Sequence, residues 1–257
     1  MSETTDELVA ERRGPVLILR LNRPEVRNAL SWSMIEGIGA AVAEAESDPG
    51  IKVLVVTGTG RSFCSGIDLR TFAQDNASAP DAGMDGYRRL VGGEVEVPVI
   101  GAANASAVAA GFELLLGCDV VVASSEASFG LPEVKRGLFA GSGVMHVGRR
   151  LPLGVALELA LTGDPIDAPR AHELGLVNAV VAPDEVLDTA LGFAQRIAAN
   201  APLSLAATKQ LVRMAAYGAP GVDEKLAEWQ QRVFTSEDAK EGATAFVEKR
   251  APVWKGR

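Results

Sequence analysis

The chain reads as an α/β protein, with a core of alternating strands and helices over residues 1–182 and a helical region over 183–257. Three observations predict this. Short apolar, β-branched runs recur at Val16 to Leu21, Val53 to Thr57, Pro98 to Ala102 and Asp119 to Ala123, continuous rather than alternating, as expected of strands covered on both faces. Stretches long enough for helices separate them. Strand signals then stop at Pro183, and only helix-like segments follow.

Met1 to Arg12 reads as a polar, acidic leader, and the polar segment Asn22 to Asn28 follows the first strand. A helix is expected from Ser33 to Ser47, because Ser33 and Glu36 stand at capping-box spacing and Asp48, Pro49 and Gly50 close it. Residues Ala73 to Gly86, rich in Asp, Ala, Gly and Ser and without apolar periodicity, read as a mobile loop and lid before a short helix at Tyr87 to Glu94. The Ala/Gly-rich stretch Asn104 to Gly117 leads through another helix, and the alternation repeats more weakly through Leu174 to Val181. The last helices are expected at Pro183 to Ala199, Pro202 to Tyr217, Val222 to Phe234 and Ser236 to Lys249. Amphipathic helices beyond a finished core suit packing on a neighbouring subunit or back on their own core.

A chain of 257 residues, 47% of them hydrophobic, buries a substantial core. A net charge of −8 and a pI near 5.0, with no Lys/Arg run, exclude a general nucleic-acid binder. The two cysteines, Cys64 and Cys118, have no metal-ligand spacing around them and read as buried thiols. With no apolar leader and no bilayer-length apolar stretch, a soluble cytoplasmic protein without a membrane partner is expected.

Two glutamates carry the chemical interest. Glu113 and Glu133 lie in apolar, Gly- and Ala-rich surroundings, where a carboxylate is costly to desolvate and is held either by structural partners or for acid and base work. After the strand ending at Thr57 comes GTGRSFCSGIDL, residues 58–69, with glycines at 58, 60 and 66. A dinucleotide fingerprint would need glycine where Phe63 stands. A sharp turn before a helix beginning near Asp68 would instead leave N–H groups free for an oxyanion. From Ala105 to Gly111 every residue but Val108 is very small, so free N–H groups near Ala110 can supply a second donor, with Glu113 one turn further on. Chain turning and close helix-strand packing explain the same small residues, and both readings stay open at this point.

The order FCSGIDL, PVIGAANASAVAAGFELLLGCD, FGLPEVKRGL, LTGDPIDAPRAHELGLVN and EGATAFVEKRAPVWKGR resembles the enoyl-CoA hydratase, or crotonase, family from end to end. The resemblance implies a crotonase-like spiral of repeated ββα units with a helical C-terminal trimerisation region, assembled as a homotrimer or dimer of trimers. It implies an acyl-CoA thioester substrate, with coenzyme A part of that substrate and no separate cofactor or metal. It implies an anion hole from the N–H groups of Ile67 and Ala110, with Glu113 deprotonating water and Glu133 supplying a proton to the α-carbon. For coenzyme A it implies Arg27, the Ser65, Gly66, Asp68, Leu69 and Arg70 segment, and Phe246 with Lys249 from a neighbouring subunit.

Where the family usually has Asn-Gly followed by an aromatic or large residue the chain has Asn104, Ala105 and Ser106, and it has Ala109 and Ala110 where glycines are usual. A methyl group at Ala110 narrows the space beside the thioester, and a positive φ there would add strain. Phe139, after the second glutamate, is expected to limit acyl length. Another crotonase reaction (isomerase, hydrolase or decarboxylase) and a non-catalytic acyl-CoA-binding role are the alternatives. A serine hydrolase would have to draw on His146 or His172, and Gly141, Ser142 and Gly143 lack the nucleophile-elbow pattern.

Overall fold

A computed structural model describes residues 7–68 and 83–257. Strands β1 (Leu8–Arg13), β2 (Val16–Leu21), β3 (Val53–Gly58), β4 (Val99–Ala103), β6 (Val120–Ser124) and β9 (Ala179–Val181) form one sheet in the order β1-β2-β3-β4-β6-β9. β1 and β2 are antiparallel, and every later pair is parallel. Short strands β5 (Ala107–Val108), β7 (Ser128–Gly130) and β8 (Ile166–Asp167) form a second sheet in the order β5-β7-β8. The chain thus alternates between a long and a short sheet, with helices between them.

Side-chain alternation divides the long sheet's faces. Ile18, Val53, Val55, Ile100 and Val122 point to one face, covered by α7 (Val186–Ala198) through Val186, Ala190 and Ala194. Spacing of small residues at one turn lets this helix lie close to the strands. Leu17, Leu19, Leu54 and Val56 point to the other face, against α1 (Trp32–Ser47), α2 (Met84–Gly92) and α3 (Ala110–Gly117). All residues of α3 are buried, so this short helix occupies the centre of the molecule. Helices α4 (Gly143–Arg150), α5 (Leu153–Thr162) and α6 (Ala168–Glu173) follow, and α8 (Pro202–Ala216), α9 (Val222–Phe234) and α10 (Glu237–Glu248) complete the chain.

Several local expectations are corrected. The stretch read as a polar leader contains β1, an edge strand whose exposed Arg12 and Arg13 leave no continuous apolar run to recognise. The N-cap of α1 is Ser31, which accepts the Met34 N–H at 3.2 Å, while Ser33 lies inside the first turn. Helix α2 starts at Met84 rather than Tyr87, and Ala73 to Ala82 of the expected loop lie outside the described residues. Cys64 and Cys118 are buried free thiols, as expected, and burial pushes each up to about 12.

Two carboxylates tie the C-terminal helices down. Asp119 accepts from Lys209 and Arg213 of α8, each at 2.8 Å, and from the Val99 N–H. Asp238, 3% exposed, accepts the N–H groups of Lys255 and Gly256. Helices α1 and α2 meet through glycine: a Cβ on Gly39 would lie 2.0 Å from the Gly83 carbonyl oxygen. Gly39→Ala is therefore expected to lower unfolding free energy by roughly 1–3 kcal/mol in urea denaturation, because backbone must separate to admit the methyl group.

Candidate active site

Two backbone segments meet beside α3. Phe63 N–H donates to the Ser106 carbonyl and Val108 N–H to the Cys64 carbonyl, both at 3.0 Å, so Cys64 is in parallel register with Ala107. That register carries Ile67 and Ala110, each three positions further on, to matching places. The approach requires missing side chains: a Cβ on Gly111 would lie 2.4 Å from the Cys64 carbonyl oxygen. Gly66, at φ 100°, sits so close that its Cβ would lie 2.8 Å from that of Ala109 and 3.7 Å from the Ala110 nitrogen.

The segment up to Asp68 is held by isolated bridges, and the helix expected to begin near Asp68 falls on residues outside the described ones. The segment's other edge pairs with Leu30, whose N–H donates to Gly66 at 2.8 Å and whose carbonyl accepts the Asp68 N–H at 2.9 Å. In that bridge the Ile67 N–H faces away and has no protein partner among the described residues. Ala110 is the first residue of α3, where an N–H has no intrahelical acceptor. Two free donors therefore sit together at a helix start. The strained alanine is Ala109, with φ 54° and ψ −133°, rather than Ala110, because Ala109 makes the turn into the helix and its carbonyl accepts from Phe112 and Glu113. Such a conformation costs a non-glycine residue on the order of 1–3 kcal/mol.

Both glutamates line the same cavity of about 590 Å³ as Ile67 and Ala110. This volume suits a small-molecule site. Glu113 is 9% exposed; its Oε1 accepts the Gly143 N–H at 2.9 Å and its Oε2 the Ser142 hydroxyl at 3.3 Å. Glycine is required at 143, since a Cβ there would lie 2.6 Å from Oε1. Burial pushes the Glu113 carboxyl up, the Gly143 N–H opposes this, and the nearby Glu133 charge adds to it. Glu133 lies in a 3₁₀ turn, Pro132–Arg136, half-buried, and its buried Oε2 has no hydrogen-bond partner. Burial raises its pKa too, against its own backbone N–H and the Arg136 charge. The two acids differ in provision: donors hold the charged form of Glu113, and no side chain hydrogen-bonds the inner oxygen of Glu133.

Of the other expected contacts, Ser65 and Asp68 line the cavity, with Asp68 paired to Arg23 at 3.2 Å. Phe139 also lines it but is 74% exposed, which places it at the rim. Arg27 is exposed and outside the lining, although its carbonyl accepts the Ser65 N–H. Phe246, 85% exposed, and Lys249 do not line the cavity within one chain. Leu69 and Arg70 lie outside the described residues.

Sequence reasoning missed three supports. Ser142 and Gly143 entered the sequence reading only as lacking a nucleophile-elbow pattern. Asn28, fully buried in the left-handed region, donates to the carbonyls of Thr59 and Ser62 and accepts from Arg23, so it braces the loop before Ile67. A second cavity, of about 670 Å³, lies between α2, α8 and α9; its Arg89, Lys209 and Arg213 are already engaged by Glu46 and Asp119. Among the described residues no His, Cys, Asp and Glu cluster is arranged to hold a metal ion.

A family model described as enoyl-CoA hydratase/isomerase matches residues 11–257. The chain belongs to that family. Among curated relatives of this crotonase-fold chain, the carnitinyl-CoA dehydratase of Proteus mirabilis (strain HI4320) is 38% identical over 253 residues, 95% of this chain and 97% of the relative. The crystal structure of enoyl-CoA hydratase from Mycobacterium tuberculosis H37Rv superposes with a TM-score of 0.89 at 41% identity, covering 98% of this chain and 100% of that one. That of carnitinyl-CoA hydratase from Mycobacterium avium gives 0.74 at 41% identity, covering 99% and 100%. Membership agrees with the alternation of the chain between a long and a short sheet described above.

Two outcomes follow from the geometry. Ala109→Gly relieves the positive φ and is expected to stabilise the protein by about 1 kcal/mol in urea denaturation. The Glu133 carboxyl binds its proton more tightly folded than unfolded, so its ionisation opposes folding above the folded pKa, and that penalty disappears below the unfolded value of 4.5. Glu133→Gln should accordingly raise the thermal midpoint at about pH 7 and leave it unchanged at about pH 4.

Proposed function

We propose that the protein is a hydro-lyase that adds water across the trans-2 double bond of an enoyl-CoA thioester, in the manner of fatty-acid β-oxidation. The observation that carries this reading is the pair of unequal carboxylates facing one cavity with two free N–H donors. The thioester oxygen lies between the N–H groups of Ile67 and Ala110. Ionised Glu113 removes a proton from water as its oxygen bonds to the β-carbon, and the double-bond electrons move onto the thioester oxygen, where the two donors stabilise the charge. Collapse of that enolate takes a proton from Glu133 to the α-carbon. Water loses one proton and the product gains one, so two carboxyl groups balance the reaction without a further cofactor, and coenzyme A arrives as part of the substrate.

The same steps reversed eliminate water from a 3-hydroxyacyl thioester. Relatives named carnitinyl-CoA dehydratase favour this as the second reading, with a polar acyl group. Leu153, Leu157 and Leu161 form an exposed apolar stripe on α5, and Phe234 and Phe246 are exposed nearer the C-terminus. These surfaces support a homotrimer or dimer of trimers, in which Phe246 and Lys249 reach coenzyme A from a neighbouring subunit while Arg27 contacts it from the chain's own. A cytoplasmic location is part of the reading; among the described residues no helix is long and apolar enough to cross a membrane.

Crotonyl-CoA and a longer trans-2-enoyl-CoA should lose the ultraviolet absorbance of the conjugated thioester when mixed with the protein. Glu113→Gln and Glu133→Gln should each slow that loss by roughly 10²–10⁴-fold with thioester affinity nearly intact; an unchanged rate in either variant removes that residue's role. Phe139→Ala is expected to shift preference toward longer acyl chains, measured as the ratio of kcat/KM values for the two substrates.

A further inference from the structure

Ser142 occupies the N-cap position of α4, yet its side chain makes no cap hydrogen bond. Serine at such a position ordinarily accepts an N–H from the first turn. Here the hydroxyl instead donates to Glu113 Oε2 at 3.3 Å, while the neighbouring Gly143 N–H holds Oε1 at 2.9 Å. One donor on each oxygen fixes the plane of the carboxylate. We propose that Ser142 is a positioning residue whose hydroxyl orients Glu113 and holds it in the ionised form that accepts a proton from water. The final clause rests on the hydration reading; the hold on Glu113 does not.

The surroundings of Glu113 give this hydroxyl its weight. Strands β4 and β5, packed against α3, carry no titratable side chain. Helix α2 presents Tyr87, buried and with no partner for its hydroxyl, and the turn at 132–136 presents Glu133. The segment before Ile67 presents the buried Cys64 thiol. From α4 come His146, Arg149 and Arg150; Arg149 lies over the Tyr217 ring, and Arg150 donates to the Leu116 and Cys118 carbonyls at the far end of α3. None of these donates to Glu113, so Ser142 and Gly143 supply its hydrogen bonds among the described residues. A hydrogen bond to the charged form of an acid lowers its pKa.

The substitution that tests this is mild. Ser142 has helical backbone angles, φ −74° and ψ −23°, which alanine adopts, and Gly143 still holds the other oxygen. Carboxyl titration of protein carrying ¹³Cδ-labelled glutamate, with the Glu113 signal assigned by its loss in Glu113→Gln, reads the effect without requiring turnover. In Ser142→Ala the Glu113 midpoint should rise by about one pH unit, and in Ser142→Thr it should stay near the wild-type value. The acid limb of crotonyl-CoA hydration should move upward by the same amount, lowering kcat up to about tenfold on the acid side with KM unmoved. A Glu113 midpoint unchanged in Ser142→Ala overturns the proposal. A raised midpoint in a protein that hydrates neither enoyl thioester supports the hold of Ser142 on Glu113 and overturns the hydration reading instead.

Discussion

The contact between the backbone at Cys64 and the start of α3 is the constraint on which the site depends. Gly111 allows it, because any side chain there would overlap the Cys64 carbonyl. From this one approach follow the register of Cys64 with Ala107, the neighbouring positions of Ile67 and Ala110, and the burial of α3 with Glu113 on it. Small residues in this stretch therefore do both things that their composition suggested: they pack closely and they leave donors uncovered.

Electrostatics then divides two chemically identical side chains. Burial raises both carboxyls, but the start of α4 returns hydrogen bonds to Glu113 that the turn at 132–136 does not provide to the inner oxygen of Glu133. Strain accompanies this arrangement. Ala109 is held at positive φ between its bond to Gly130 and the first turn of α3, and its methyl group abuts Gly66. Unsatisfied and strained groups gather where a ligand would lie, which is where a fold keeps them when rigid surroundings compensate.

The long sheet and its helices were largely legible, since β2, β3, β4 and β6 are continuous apolar runs and α8 to α10 have clear helical patterning. The short strands β5, β7 and β8 were not, because two or three residues carry no period, and β1 was hidden by its exposed arginines. Glu113 and Glu133 stood out as acids in apolar surroundings, and motif order assigned Ile67 and Ala110. Arg27, Phe246 and Lys249 came from resemblance alone, and one chain does not bring their side chains to the cavity.

The amino-acid order by itself determined the family, the alternation of strands and helices, and the two acids beside small-residue segments, because each of these is written in local pattern and motif order. Tertiary structure decided which alanine bears the strain, that Ile67 bridges to Leu30, and that Ser142 and Gly143 reach Glu113 across 29 and 30 positions of sequence. Those outcomes depend on which backbone passes within hydrogen-bond distance of which side chain. Such distances are set by packing between segments far apart in the chain, and no local period records them.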